Sequence, residues 1–155
     1  MKLRNVVPIL VLLFTGAMMS FAATNSNLGT WKLNEAKSKL VPGTPKNLTV
    51  VYAAAGDMIK GTIDGLDGEG KPAHNEWTGK FDGKDYPVTG DPSSDSRAFK
   101  SVDDHTWDLT VKKGGKVTMT GKVVMAADGK TRTVTISGTT AAGKKIESTA
   151  VYDKQ

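Results

Sequence analysis

His105-Thr106-Trp107-Asp108-Leu109-Thr110-Val111-Lys112-Lys113 sets Trp107, Leu109 and Val111 against Thr106, Asp108, Thr110 and Lys112 in strict alternation. A period of two puts these sets on opposite faces of an extended chain, so the stretch predicts a half-buried β-strand. Gly114-Gly115 reverses it into Lys116 to Ala126, where Val117, Met119, Gly121, Val123 and Met125 face one way. Asp128-Gly129 leads to Thr131 to Gly138, with Arg132, Val134, Ile136 and Gly138 opposing Thr131, Thr133, Thr135 and Ser137. Ala142-Gly143 leads into Lys144 to Asp153, with Ile146, Ser148, Ala150 and Tyr152 on one side.

The pattern continues upstream. Leu28 to Leu33 reads as the first strand. Asn34 is placed to cap a short helical turn through Glu35-Ala36-Lys37-Ser38, which Pro42-Gly43-Thr44-Pro45 stops. Asn47 to Ala54 carries Leu48, Val50 and Tyr52 on one face; Gly56-Asp57 turns the chain into Met58 to Asp64, and Gly65 to Gly70 turns it again. Lys71 to Phe81 sets Asn75, Trp77, Gly79 and Phe81 against His74, Glu76, Thr78 and Lys80. Asp82-Gly83 predicts a type I′ hairpin turn, which needs positive φ at both central residues. Tyr86 to Thr89 is a brief strand ending at Gly90-Asp91-Pro92, and Ser96 to Val102 follows. Depending on how the Tyr86 segment is counted, this gives nine strands, or ten if the long Lys71 strand is broken, and no helical period of any length follows Leu40. Short strands joined by tight turns lose their exposed edges by closing on themselves. The expected fold is all-β: a single antiparallel up-and-down meander barrel of about eight to ten strands.

The N-terminus has a different character. Lys2 and Arg4 precede a nearly unbroken apolar stretch from Val6 to Met19, and Ser20-Phe21-Ala22 offers small residues before Ala23. That layout predicts a secretory signal peptide over residues 1–22 and an exported barrel domain over 23–155, periplasmic or extracellular. The rival reading is an uncleaved anchor, since Val6 to Ala23 is about as long as a minimal membrane span. After cleavage no stable membrane span is expected. The chain has no cysteine, so neither a lipoprotein thiol nor a disulfide is available, and packing must stabilise the domain. Loss of Lys2 and Arg4 lowers the formal charge from +5 to +3 and leaves two arginines among scattered lysines. Nucleic-acid binding wants a clustered basic stripe with aromatic platforms, so no nucleic-acid partner is expected. An outer-membrane barrel would carry aromatic girdles on an outward apolar face. This chain is poor in aromatics, which favours a soluble barrel with its apolar face inward.

Leu28-Gly29-Thr30-Trp31-Lys32-Leu33, a meander, and the closing Val151-Tyr152-Asp153-Lys154 together resemble the calycin superfamily of lipocalins and fatty-acid-binding proteins. The resemblance covers the mature chain as architecture but only its two ends as motif. It implies a lipocalin-like barrel in which Trp31 closes the bottom, with Lys154 or Lys32 as a cation–π partner. It also marks departures. The last-strand Arg-x-Tyr with which fatty-acid-binding proteins grip a carboxylate is here Ala150-Val151-Tyr152, and Asn34 to Lys46 is too short for a two-helix lid. No histidine lies near the C-terminal strand, which speaks against the haem-binding relatives.

Arg132 shares its face with Val134 and Ile136, so it is read either as an interior anchor for an anionic head group or as a rim residue snorkelling to water. Arg97, two residues from Phe99, poses the same choice, and a two-arginine pocket would suit a carboxylate, sulfate or phosphate amphiphile. His74 and His105 lack partners at metal-ligand spacing. Asp64, Asp67 and Glu69 lie in a glycine-rich loop that turn chemistry explains and that misses the EF-hand pattern. No cysteine, Gly-x-Ser-x-Gly elbow or serine with a nearby base supports nucleophilic catalysis.

The resulting expectation is a non-enzymatic, cofactor-free, monomeric barrel that binds a small hydrophobic or amphiphilic molecule. Tyr52, Trp77, Phe81, Arg97, Trp107, Met119, Arg132 and Tyr152 are the candidate ligand-binding residues, with Leu48, Val50, Leu109, Val134 and Ile136 completing the lining. Gly79, Gly121 and Gly138 would leave room for a ligand or mark bends. The alternative is an envelope-associated interaction or inhibitor domain with a filled core, recognising a partner through Pro42 to Lys46 and Gly90 to Ser96. The state of the interior separates the two.

Overall fold

Alternation in the sequence becomes ten strands in a computed structural model, which describes residues 26–139, 143 and 145–155. They are β1 (Gly29–Leu33), β2 (Lys46–Ala55), β3 (Met58–Leu66), β4 (Pro72–Gly79), β5 (Tyr86–Thr89), β6 (Ser96–Ser101), β7 (Thr106–Lys113), β8 (Lys116–Met125), β9 (Thr131–Thr139) and β10 (Lys145–Lys154). Each pairs antiparallel with its sequence neighbours, and β1 pairs with β10 through Trp31↔Lys154 and Leu33↔Tyr152, so the sheet closes into an up-and-down barrel. The tenth strand is the Tyr86 segment; the Lys71 strand is not broken but ends at Gly79. The signal-peptide reading of residues 1–22 and Ala142 of the last turn lie outside the described residues. Among the described residues no helix is long and apolar enough to cross a membrane.

The helical turn forms as the capping signal predicts. Glu35–Lys37 is a 3₁₀ turn, and the Asn34 side chain accepts a hydrogen bond from the Lys37 backbone N–H at 3.2 Å. From there the chain runs back along β10, where Lys39 exchanges backbone hydrogen bonds of 2.7 and 2.9 Å with Thr149. This segment then crosses from β1 to β2, with Leu40, Thr44 and Pro45 bordering the open end of the interior, the mouth; Gly29 and Lys154 lie at the opposite end.

The Asp82-Gly83 hairpin does not form. Gly83 has positive φ, but no residue other than glycine does among the described residues, and type I′ needs two. The chain instead leaves β4 at Gly79 and lays Phe81 to Gly83 against the end of β6: Gly83 donates to the Phe99 carbonyl at 2.8 Å and Ser101 donates to that of Phe81 at 3.1 Å. Asp82 makes a local turn by accepting from the Lys84 N–H at 3.0 Å.

Two bulges shift predicted faces. In β2, Asn47 pairs with Gly65 but Thr49 with Asp64, so Leu48 is the extra residue. In β7–β8, Val111 pairs with Met119 but Lys112 with Val117, which leaves Thr118 over. Side-chain direction flips with each residue, so one inserted residue turns the remainder of the strand over. Val117, expected inside, is 55% exposed for this reason.

Candidate functional site

The strands place apolar side chains inward around a cavity of about 180 Å³. Val50, Leu109, Val111, Met119, Val123, Val134 and Ile136 supply much of its wall. Leu40, Thr44 and Pro45 of the crossing segment and Ser93 of the β5–β6 loop stand at its mouth. The interior is therefore not filled.

The lower part of the barrel is closely packed, with one small void of about 10 Å³ bordered by Asn27, Phe81, Trp107 and Arg132. Trp31 is fully buried, its indole N–H donating to the Asn27 carbonyl at 2.8 Å. Two cations lie over its ring, the Arg132 guanidinium carbon at 4.8 Å from the centroid and Lys154 Nζ at 5.1 Å. The plug expected from the resemblance is thus present, with Lys154 as a partner; Lys32 is exposed on the outer face. Beside it Trp77, Phe81, Phe99 and Trp107 form an aromatic cluster of edge-to-face and tilted ring pairs, with Trp77 and Phe99 centroids 5.0 Å apart and Phe81 and Phe99 5.3 Å apart.

The candidate residues divide between these two regions. Tyr52, Arg97, Met119, Arg132 and Tyr152 line the cavity. Trp77, Phe81 and Trp107 do not; they belong to the aromatic cluster beneath it. Leu48 is turned away by its bulge, and Asn47 takes the place on the lining. The three interior glycines leave no space for a ligand. A Cβ on Gly79 would meet the Tyr86 and Trp77 rings within 2.7 Å, so this glycine permits close ring packing.

Both arginines are inside, and neither lies on the surface or snorkels from a rim. Arg132 is 3% exposed, at the floor of the cavity. Its register pairs it with Tyr152 across β10 and with Met125 across β8. Three rings surround the guanidinium: Trp31, Tyr152 at 5.0 Å and Tyr52 at 5.1 Å from ring centroid to Cζ. Its Nε has no hydrogen-bond partner among the described residues. Arg97 sits nearer the mouth and donates from Nη2 to Asp91 Oδ2 at 2.9 Å, with both side chains mostly covered. Asp91 also accepts from the Ser93 N–H and hydroxyl and from the Ser94 hydroxyl at 2.6–2.8 Å. Burial pushes the Asp91 carboxyl up, but these hydrogen bonds and Arg97 together hold it below the usual carboxylate range.

Tyr152 donates its hydroxyl to the Asn47 carbonyl at 3.1 Å. Burial drives its pKa up to about 12, against the nearby Arg132 charge, so it is a neutral phenol under ordinary conditions. Ser148, also on the lining, accepts from the Val41 N–H at 3.3 Å and tethers the crossing segment.

Elsewhere the polar groups serve surface and turn roles. His74 is exposed on the outer face with Nδ1 2.6 Å from Asp64 Oδ1, and His105 lies in the exposed β6–β7 turn. Asp67 accepts from the Glu69 and Lys71 N–H groups at 2.8 and 2.9 Å, which sets the β3–β4 turn. Fold and cavity together define a closed ten-strand antiparallel β-barrel with a cavity open at one end, an architecture consistent with a calycin-like fold. No protein-family model and no curated protein matches the chain.

Proposed function

We propose that the chain is an exported, non-enzymatic, lipocalin-like carrier of the calycin type that holds one small hydrophobic or amphiphilic molecule. The observation that supports this reading is the cavity, whose wall is mostly aliphatic and whose mouth is ringed by Thr44, Lys46, Asn47 and Ser93. A void of this kind costs stability when empty, because its lining loses contacts that a filled core would make. Its volume of about 180 Å³ is near the roughly 150 Å³ cavity that takes benzene. It is below the roughly 300–1,000 Å³ of drug-sized pockets. The fitting ligand is a ring or a short chain, with any longer part projecting past Pro45. Burial of its apolar groups would contribute about 0.8 kcal/mol per CH₂.

The test is mass spectrometry of the exported protein, purified without detergent, under native and then denaturing conditions. A near-stoichiometric small molecule released only on unfolding is the expected result. Protein that is empty and also refuses a panel of short fatty acids, alcohols and aromatic dyes would overturn the carrier reading in favour of a protein-interaction domain.

A further inference from the structure

Two spaces lie inside the barrel, the cavity of about 180 Å³ and the void of about 10 Å³ in its lower part. Tyr52, Phe99, Val123 and Arg132 border both, and so form the partition between them. Asn27, Phe81 and Trp107 border the void alone. The four members of the partition are not alike. Arg132 stands among the Trp31, Tyr52 and Tyr152 rings. Tyr52 is pressed against β3, where a Cβ on Gly61 would meet its ring at 2.7 Å. Val123 is short. Phe99 supplies bulk: of the rings of the aromatic cluster, it is the one that also lines the cavity. Trp77 and Phe81 back it at 5.0 and 5.3 Å between centroids, and Gly83 donates to its carbonyl at 2.8 Å.

We infer that Phe99 sets the length of apolar chain the barrel accepts: its ring stops the chain, and a smaller side chain there joins the void to the cavity. The inference rests on the carrier reading above and deepens it by naming the residue that selects among ligands. Thr44, Asn47 and Ser93 at the mouth offer hydrogen bonds to a hydroxyl, so an uncharged amphiphile enters tail first. Its tail then ends on the partition. Removing a buried ring leaves space that the surroundings refill only in part, and apolar space of that kind takes up apolar ligands. Each further methylene that finds room there tightens binding about fourfold. A methylene that finds none stays in water at the mouth and adds nothing.

The probes are the straight-chain alcohols from butanol to octanol, titrated into the mature protein and followed by amide NMR shifts, which also report the fold. Wild type is expected to gain about fourfold in affinity per methylene up to a limiting chain length, and nothing beyond it. Phe99→Ala should move that limit to a longer alcohol by at least one methylene, and Phe99→Leu should move it the same way but less. Trp107→Phe, which enlarges the void behind the partition, should leave the limit where it is. Should neither Phe99 variant fold, NOEs on the wild-type complex carry the test. They are expected between the terminal methyl of the limiting alcohol and the Phe99 ring. An unchanged limit in folded Phe99 variants would overturn the role of Phe99 and leave the carrier reading standing. So would an equal shift in Trp107→Phe, or a terminal methyl that contacts Leu40 instead. Binding of none of the alcohols would overturn both.

Discussion

Asp91 shows how much one carboxylate organises at the mouth. It gathers Ser93, Ser94 and Arg97 and so fixes the loop between β5 and β6 over the cavity. Its folded-state pKa is lowered, so its contribution is fully present above the ordinary unfolded value and is lost as pH falls through the lower folded value. Asp91→Asn should therefore cost about 1.5–3 kcal/mol at neutral pH, the range for hydrogen bonds to a charged group. Thermal melts of wild type and variant from neutral pH downward would check the sign. The gap between them should hold at pH 6 and narrow only below about pH 4. A gap that widened on acidification would contradict the assignment.

At the scale of elements, close packing at glycine and the two bulges decide what each strand presents. Gly79 ends β4 where an added Cβ would lie within 2.7 Å of the Tyr86 and Trp77 rings, so Gly79→Ala should destabilise by about 1–3 kcal/mol through overpacking. Denaturant unfolding would read this as a lower midpoint. The β7–β8 bulge gives a sharper comparison. Val117 and Val123 are both on β8 and separated by an even number of residues, yet Val123 is 5% exposed and Val117 faces solvent. Val117→Thr should change stability by less than about 0.5 kcal/mol. Val123→Thr, which buries a hydroxyl among apolar groups, should cost about 1–3 kcal/mol. Equal costs at the two positions would place the bulge elsewhere.

For the whole molecule, the barrel joins a packed aromatic base to a hollow upper half. Trp31 between two cations seals the base, and Leu40, Thr44 and Pro45 of the crossing segment border the hollow part. Its first half is clamped to β10 through Lys39 and Ser148. The export reading has its own test at this scale. Expressed with its full N-terminus in a secreting host, the protein should be recovered outside the cytoplasm with Ala23 as its first residue, as N-terminal sequencing or intact mass would show. Recovery in the membrane fraction with Met1 retained would instead support the uncleaved anchor.

By itself the sequence determined the all-β class, the meander order, the Asn34 cap, and the inward faces of β7, β9 and β10. The reason is that these are local signals: a period of two, glycine at the turns, a side chain three residues from the N–H it caps. The resemblance of its two ends pointed to Trp31 as the plug. Only the tertiary structure decided the rest. Asp82-Gly83 reads as a hairpin because a two-residue turn is the local preference, but pairing of Phe81 and Gly83 with β6 won. Leu48 and Val117 keep perfect alternation in the sequence, and a bulge is set by the partner strand's register, which no single strand encodes. Whether Trp77, Phe81 and Trp107 line a void or fill one depends on their depth along the barrel. Periodicity gives the face of a residue but never its height. Arg132 combines both limits: its face was legible from Val134 and Ile136, while its ring of aromatics came from strands far apart in the chain.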